Sequence, residues 1–366
     1  MDSDVILVIV VAAALAFDFT NGFHDTANAV ATSISTRALP PNVAVGMAAV
    51  LNFAGAFISL KVAATVAKGI VDADLITTTI VFAGLIGAIA WNLATWYFGL
   101  PSSSSHALIG GVVGAAFAAQ GTQAVKGDGL IEKVLVPALI APFLAFVVAA
   151  LAIILAYRIV GRLRPGPVNR GYRLGQIVSA SLFSLSHGTN DAQKTMGIIA
   201  LALVAHGDLA SGADPPTWVV VSAASAIALG TYVGGWRIIR TMGSKIIKMD
   251  PAQGFVAQGA GASVILAASH FGYPLSTTHV ASGGIMGAGA GKSLSAVRWG
   301  VAGNIVAAWV MTLPAAALVG AGTYGITRIF GTGALGPLVV SLSLLTLLVG
   351  VLGRRLTQGR PLTVEG

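Results

Sequence analysis

The chain has 366 residues, of which 55% are hydrophobic and only 9% are charged. Because about a quarter of the residues in a soluble domain are charged, this composition excludes an ordinary soluble protein. The formal net charge of +8 does not indicate a nucleic-acid partner, since the basic residues form short clusters between apolar runs. The chain contains no cysteine, which excludes disulfides, thiolate metal sites and cysteine nucleophiles.

Apolar runs long enough to cross a bilayer, at about 20 residues each, recur along the whole chain. Spanning helices are predicted at 5–19, 42–66, 75–98, 134–160, 217–240, 254–271, 296–326 and 335–352. Four stretches between them are too short or too polar to face lipid, at 24–36, 103–119, 173–206 and 276–291. The sequence therefore predicts an all-α polytopic membrane protein with about 10–12 membrane segments.

Basic residues cluster in two connections between these helices, at 158–173 and 237–248. Cytoplasmic loops of membrane proteins carry an excess of Lys and Arg. Both connections are therefore predicted on the cytoplasmic side, with the acidic residues Asp2 and Asp4 on the outside.

The chain contains an internal repeat. Phe98 to Ala115 aligns without a gap with Phe271 to Ala288, and nine of the eighteen positions are identical. A weaker pair of segments, 22–28 and 188–194, precedes the first pair in the same order. The repeat predicts a duplication, and the three predicted regions are a first transporter repeat at 1–165, a second at 166–330, and an additional C-terminal helix and tail at 331–366.

Duplicated halves in secondary transporters commonly have inverted topology, and discontinuous helices build the substrate site near the midplane. Two inverted repeats with discontinuous or re-entrant helices are therefore expected here. The four polar stretches are candidates for these discontinuous helices, and the substrate site is expected among them.

Two prolines, Pro101 and Pro274, each precede a triplet of hydroxyl residues that begins a glycine-rich helix. Each helix start carries the equivalent of about half a positive charge, and two of them can hold a tetrahedral oxyanion by hydroxyl and amide hydrogen bonds. The alternative is that the hydroxyls only cap their helices, but the duplication favours anion binding. The candidate residues are Ser103, Ser104, Ser105, Ser276, Thr277 and Thr278.

Asp25 and Asp191 are ionisable residues in apolar surroundings, which makes each a candidate functional residue. Two carboxylates beside an anion would repel it unless a cation or proton binds too, or unless the anion itself donates protons to them. Phosphate carries such protons at neutral pH and sulfate does not. The pair therefore favours phosphate as the substrate, and both carboxylates are candidates for phosphate binding and for coupling.

The coupling ion is predicted to be a proton or sodium, with no other cofactor. Candidate ligands of sodium are Asp25, Asn28, Asp191 and Gln193, and Asn190 is a further coupling candidate. Candidate proton carriers are His24, His106 and His279. The alternative for the amides and histidines is interhelical hydrogen bonding. Lys194, three residues after Asp191, is expected either to contact the anion or to neutralise that carboxylate.

The motifs resemble those of the PiT family of inorganic phosphate transporters. Asn21 to Thr32 resembles its first signature and Ser186 to Lys194 its second, while Pro101 to His106 and Pro274 to His279 match its serine/threonine motifs. The resemblance implies inverted repeats, a homodimer, and phosphate held between the hairpin tips and the Asp motifs. The His24-Asp25 pair is similar to the bacterial low-affinity, proton-coupled branch, which implies the bacterial plasma (inner) membrane.

The sequence thus predicts a secondary active transporter that imports inorganic phosphate, free or as a metal–phosphate complex, by symport through alternating access. A sulfate permease of the same fold and a passive anion channel are the alternatives. An enzyme is not expected, since P-loop, HExxH and GxSxG patterns are absent. The expected partners are phosphate, membrane lipid and a second copy of the chain, and no nucleic acid.

Overall fold

A computed structural model of the chain describes residues 2–331 and 333–357, with side chains at 3–331 and 333–347. These residues form helices and one isolated β-bridge between Val71 and Val125. The helices of the first half are α1 (Asp2–Ser35), α2 (Pro41–Gly55), α3 (Lys61–Lys68), α4 (Thr78–Phe98), α5 (Ser104–Gln120), α6 (Gly127–Leu130) and α7 (Val136–Val160). Those that follow are α8 (Pro165–His206), α9 (Thr217–Val233), α10 (Trp236–Arg240), α11 (Pro251–His270), α12 (Thr277–Lys292), α13 (Trp299–Ile329) and α14 (Leu335–Thr357).

The order of elements repeats between the two halves. Each half has a long helix carrying an Asp motif, then a broken helix, then a hairpin of two helices, then a long apolar helix. The members are α1, α2/α3, α4/α5 and α7 in one half and α8, α9/α10, α11/α12 and α13 in the other. α14 follows the second set, and residues 332 and 358–366 of the predicted region 331–366 lie outside the described residues.

The two Asp-motif helices run antiparallel to each other. At one end Asp4 Oδ1, near the start of α1, lies 3.4 Å from His206 Nε2, at the end of α8. At the other end Thr36 Oγ1, just after α1, donates to Gln176 Oε1 near the start of α8 at 2.6 Å. The two helices therefore cross with their Asp motifs in the middle of the bundle.

The two hairpins enter the bundle from opposite ends. The α4/α5 hairpin begins and ends beside the Asp4 end of α1, where Asp72 N donates to Ala124 O at 2.9 Å and Lys68 Nζ donates to Gly212 O, past the end of α8. The α11/α12 hairpin begins and ends at the other end, where Lys292 and Tyr157 both bond Asp250.

Glycines turn the chain at both hairpin tips. Gly99 and Gly272 have φ values of 65° and 77°, in the left-handed region that glycine adopts without steric cost. The tips then meet in the interior, where Ser105 Oγ donates to Leu275 O at 3.1 Å. α5 and α12 are the helices that the sequence predicts to be re-entrant, and their course through the membrane stays a prediction.

Each of these two helices packs against the long apolar helix of the other half. In α5, Gly110 lies against Leu313 of α13, and in α12 the equivalent Gly283 lies against Pro142 of α7. A Cβ on either glycine would come within 3.0 Å of the facing backbone. Glycine is required here because the backbones touch.

The apolar faces of the bundle identify it as a membrane protein. Four described helices are long and apolar enough to cross a bilayer, at Ser3–Ser35, Thr78–Phe98, Gly127–Val160 and Trp299–Ile329, and Thr217–Val233 with Trp236–Lys245 forms a fifth candidate bent by 60°. Leu139 on α7 and Leu318 on α13 are 77% and 75% exposed, as expected for side chains that face lipid. The all-α polytopic fold is confirmed, while the count of 10–12 segments stays a prediction.

Three predicted spans differ from the structure. The span 5–19 and the polar stretch 24–36 are one helix, because nothing in the motif breaks α1 and its polar side chains face inward. The span 42–66 is broken between α2 and α3, where the buried Gln193 Oε1 accepts from the free N–H groups of Val62 and Ala63 at 2.9 and 3.2 Å. The span 217–240 bends at Gly234, whose φ is 75°.

The two basic connections lie at the same end of the bundle. Ser35 Oγ, at the end of α1, donates to Gly243 O in the second connection at 2.5 Å, and α8 begins at this end, directly after the first connection. This shared location is what the positive-inside pattern requires. The side of the membrane that it faces stays a prediction.

Candidate functional site

The two Asp motifs and the two hairpin tips meet in one buried cluster in the middle of the bundle. Asp25 of α1 and Asp191 of α8 are both at most 1% exposed. One hydroxyl joins them, since Thr277 Oγ1 lies 3.3 Å from Asp25 Oδ2 and 3.1 Å from Asp191 Oδ2. The structure therefore brings together two carboxylates that are 166 positions apart in the chain.

Hydroxyls of both hairpin tips and one histidine surround Asp25. Ser104 Oγ, from the first tip, donates to Asp25 Oδ1 at 3.2 Å, and Thr278 Oγ1, from the second tip, donates to the same oxygen at 3.3 Å. His24 Nδ1 lies 2.7 Å from Asp25 Oδ1. The other ring nitrogen of His24 lies 3.1 Å from Thr95 Oγ1, which fixes the plane of the ring.

A buried ammonium group neutralises Asp191. Lys194 is 1% exposed and forms an ion pair with Asp191 Oδ1. Its Nζ also donates to Ser105 Oγ at 2.5 Å and to Leu275 O at 2.6 Å. Lys194 therefore connects the second Asp motif to both hairpin tips.

His187 lies between the two carboxylates and a polar side chain of α2. Its Nε2 lies 3.1 Å from Asp191 Oδ2 and 3.9 Å from Asp25 Oδ2, while Nδ1 lies 3.1 Å from Asn52 Oδ1 of α2. One ligand atom from each of Asp25, His187 and Asp191 lies within 4.8 Å of the others. Two carboxylates and an imidazole suit a divalent transition metal better than sodium, which prefers an all-oxygen set.

Two polar contacts cross between the halves in equivalent positions. Asn28 of α1 donates to Thr278 of the second tip, with Nδ2 2.9 Å from Oγ1, and Lys194 of α8 donates to Ser105 of the first tip. Asn28 and Lys194 occupy matching positions in the repeat, as do Ser105 and Thr278. Each tip is thus anchored by the Asp-motif helix of the other half.

The structure divides the six hydroxyl candidates into two groups. Ser103 and Ser276 are N-caps, and their Oγ atoms accept from the N–H groups of His106 at 3.1 Å and His279 at 3.2 Å. The other four, Ser104, Ser105, Thr277 and Thr278, have their hydroxyls among the carboxylates and Lys194. The helix starts are therefore capped and also present four further hydroxyls to the site.

Four other candidate residues lie at the edge of this cluster or outside it. Gln193 caps α3, as described above, and Asn190 Nδ2 donates to Ser269 Oγ at 2.8 Å and to Tyr273 O at 3.1 Å. The His106 and His279 rings pack edge to face at 4.8 Å and line an apolar cavity of about 380 Å³ with α7 and α13. The two rings contact each other, and the His279 ring stacks on Trp309.

The sequence did not indicate Asn52, Thr95 and Ser102, whose side chains contact His187 or His24, and His187 was not among the candidate residues. It also gave no role to Asp18, which is buried in α1 apart from this cluster. One signal was available in the sequence: Asp18, Asn21, Asp25 and Asn28 follow the spacing i, i+3, i+7, i+10, which places them on one face of α1. The equivalent positions of α8, Ser184, His187, Asp191 and Lys194, have the same spacing. All eight side chains are buried.

The arrangement can bind an anion and a cation together. Two helix starts, four hydroxyls and the Lys194 ammonium offer hydrogen-bond donors to a tetrahedral anion. The carboxylates of Asp25 and Asp191 would repel that anion unless protons or a cation are bound as well. The site therefore favours binding of the anion together with protons or a cation over binding of the anion alone.

Comparisons with known proteins agree with this chemistry. A model of the phosphate transporter family matches residues 21–320. The chain is 58% identical over 327 residues to a probable low-affinity inorganic phosphate transporter of Mycobacterium bovis, covering 89% of this chain and 78% of the relative. A protein of the same description from Rhizobium meliloti is 52% identical over 320 residues, covering 87% of this chain and 96% of the relative. A solved structure described as the sodium-dependent phosphate transporter has the same fold, with a TM-score of 0.80 at 24% identity, over 88% of this chain and 99% of that one.

Proposed function

The chain belongs to the phosphate transporter family, and from this premise we propose that it imports inorganic phosphate by symport with a proton or sodium ion. Proteins of this family and the relatives described above are transporters, not enzymes. The multi-pass membrane fold agrees with that activity. Its location is the bacterial plasma membrane, the inner membrane where the cell has two.

One observation carries the proposal: two hydroxyl-bearing helix starts meet two carboxylates and one ammonium group at a single point. Phosphate accepts hydrogen bonds from Ser104, Ser105, Thr277 and Thr278, whose hydroxyls face the cluster. Lys194 supplies a positive charge. The protons that phosphate keeps at neutral pH can be donated to Asp25 and Asp191, which a fully deprotonated anion such as sulfate cannot do.

The charge balance of the cluster supports coupling to a cation. Asp25 and Asp191 carry two negative charges and Lys194 carries one positive charge, so an incoming phosphate adds to a negative excess in a low-dielectric interior. A proton on His24 or His187, or a bound sodium ion, offsets that excess. Asn28 Oδ1 is buried without a hydrogen bond and can serve as an amide ligand for sodium, whereas the Gln193 oxygen already accepts from α3.

The arrangement of the halves supports alternating access. Two inverted repeats, 1–165 and 166–330, would present the site first to one side of the membrane and then to the other by rocking against each other. The antiparallel course of α1 and α8 and the entry of the two hairpins from opposite ends support this inversion. The tips of α5 and α12 move relative to the Asp-motif helices that anchor them.

Three further features belong to the proposal. Asp25, His187 and Asp191 can accept a divalent cation, which supports transport of phosphate as a metal–phosphate complex. The apolar surfaces of α7 and α13 contact membrane lipid. The functional unit is a homodimer, as the family resemblance implies.

Uptake of labelled phosphate into proteoliposomes tests the proposed function. An inward proton or sodium gradient is imposed in separate experiments, and a large excess of sulfate is added to parallel samples. We expect one gradient to accelerate uptake and sulfate to leave it unchanged. Uptake that ignores both gradients contradicts symport and indicates a passive channel, and strong competition by sulfate indicates a sulfate permease.

A further inference from the structure

A third buried carboxylate, Asp18, lies in α1 apart from the cluster described above. It is 0% exposed, and neither of its carboxylate oxygens accepts a hydrogen bond. It forms no ion pair with any residue whose side chain the structure describes. A buried carboxylate without a partner costs free energy unless a proton or cation neutralises it.

Two further oxygen-bearing side chains face Asp18 and are also unsatisfied. The side chains of Asn21, one turn along α1, and Thr195, in α8, interact with the carboxylate. Asn21 Oδ1 and Thr195 Oγ1 are both buried, and neither makes a hydrogen bond. Asp18 and Thr195 therefore bring oxygen atoms without hydrogen-bond partners to one buried point, beside the Asn21 side chain. Oxygen atoms are the ligands that hard cations prefer.

The position of this group relates it to transport. Asp18 precedes Asp25 by seven residues, about 10 Å along the same face of α1, in the direction of the Asp4 end. Asp191 and His187, which belong to the carboxylate cluster, are close enough to act on it electrostatically. The group thus lies between one end of the bundle and the candidate phosphate site.

We propose that Asp18, Asn21 and Thr195 form a second binding site for one monovalent cation, a proton or a sodium ion, on the route between the Asp4 end and the carboxylate cluster. The proposal rests on the symport function and adds to it one coupling charge per phosphate. The single charge of Asp18 is matched by a single monovalent cation. A sodium ion would take oxygen atoms of these three side chains as ligands, and a proton would sit on the carboxylate itself.

The described part of the second half has no carboxylate at the position that matches Asp18. Ser184 occupies the position in α8 that matches Asp18 in the repeat, and its hydroxyl donates to Ala180 O at 2.8 Å. Its hydrogen-bonding capacity is thus used within its own helix. Among the described residues the carboxylate of this site therefore occurs in the first half alone, and it adds a further chemical difference between the two halves. Ser184 also supplies a matched control at an equally buried position.

The reversal potential of phosphate transport in proteoliposomes tests the site, because it reports the number of coupling charges moved per phosphate. Wild type, Asp18→Asn and Ser184→Ala are compared, with a proton gradient alone in one arm and a sodium gradient alone in the other. The arm in which wild type couples identifies the ion. We expect Asp18→Asn to move one charge fewer per phosphate in that arm, and Ser184→Ala to keep the wild-type number.

A second variant covers the case in which Asp18→Asn gives no measurable transport. Thr195→Val removes one oxygen at almost constant volume, and we expect it to raise the half-saturating concentration of the coupling ion about fivefold, the equivalent of one hydrogen bond or ligand contact. An unchanged charge number in Asp18→Asn overturns the second site alone, as does an unchanged half-saturation in Thr195→Val when Asp18→Asn is inactive. Wild-type transport that ignores both gradients overturns the symport function and this site with it.

Discussion

Lys194 of α8 donates a hydrogen bond to Ser105 at the start of α5, with Nζ 2.5 Å from Oγ, although the two residues belong to different halves of the chain. Asn28 of α1 makes the matching contact with Thr278 of α12 at 2.9 Å. Neither half can therefore form the site alone. Movement of either hairpin tip must break a contact with the other half. Groups bound among these side chains can therefore influence the position of the tips.

Replacing Lys194 by Gln should abolish phosphate uptake and lower the thermal stability of the purified protein. The change leaves the Asp191 carboxylate buried without its countercharge, and breaking a buried ion pair in this way costs about 3–5 kcal/mol. Thermal unfolding in detergent and uptake into proteoliposomes measure the two effects. The double variant Asp191→Asn with Lys194→Gln should recover most of the stability and none of the uptake. Normal uptake by Lys194→Gln would show that the ammonium group is not needed for the anion.

Replacing Thr277 by Val should weaken phosphate transport at nearly constant side-chain volume. The Thr277 hydroxyl lies between Asp25 and Asp191, and hydrogen bonds to charged groups contribute about 1.5–3 kcal/mol each. We expect the half-saturating phosphate concentration to rise about tenfold or more. Ser282→Ala is the control, because its buried hydroxyl on the same helix has no partner. Equal effects of the two variants would mean that hydroxyls of α12 act only on folding.

Replacing Gly283 by Ala should destabilise the protein, because the new Cβ would overlap the backbone of Pro142 in α7. Overpacking of this kind costs about 1–3 kcal/mol. Gly303→Ala in α13, where a Cβ meets nothing within 4 Å, should leave stability unchanged or raise it, since alanine is the better helix former. Melting temperatures in detergent compare the two. A Gly283→Ala protein as stable as Gly303→Ala would contradict the close packing of α12 on α7.

Replacing Asp250 by Ala should lower stability and leave transport coupled. The Asp250 side chain caps α11 by accepting from Gln253 N at 3.0 Å, and it also bonds Tyr157 and Lys292. Loss of an N-cap costs about 1 kcal/mol. The residue lies at the outer end of its hairpin, far along the chain from the tip at Ser276. A loss of coupling without a loss of stability would instead assign this end of the hairpin a role in transport.

The sequence predicted the features that follow from motifs repeated in the same order in both halves. Pro101 and Pro274 mark the two tips, and the structure places the hydroxyls that follow them beside Asp25 and Asp191. The repeat made this prediction possible, because equivalent motifs in two distant segments were expected to form one site. The membrane fold was predicted from apolar runs, because the thickness of a bilayer sets the length of a spanning helix.

Features that depend on long-range contacts could not be predicted. The break after α2 persists because Gln193, from the other half, caps α3, and apolar composition gives no sign of that bond. His106 and His279 share a motif with the site hydroxyls, yet their rings pack against each other, and the His279 ring stacks on Trp309. Asp18 was overlooked because it stands in an apolar run, although its spacing from Asp25 indicated a shared face.

Accumulation of phosphate against its own gradient tests the central claim most directly. Proteoliposomes containing the wild-type protein, the Asp25→Asn variant or the Asp191→Asn variant are loaded with an imposed proton or sodium gradient, and an ionophore then collapses that gradient. The symport account predicts that wild type raises internal phosphate above the external concentration, that the ionophore releases it, and that both variants fail to accumulate it. Equal internal and external phosphate in wild type, whether or not a gradient is present, would contradict the account.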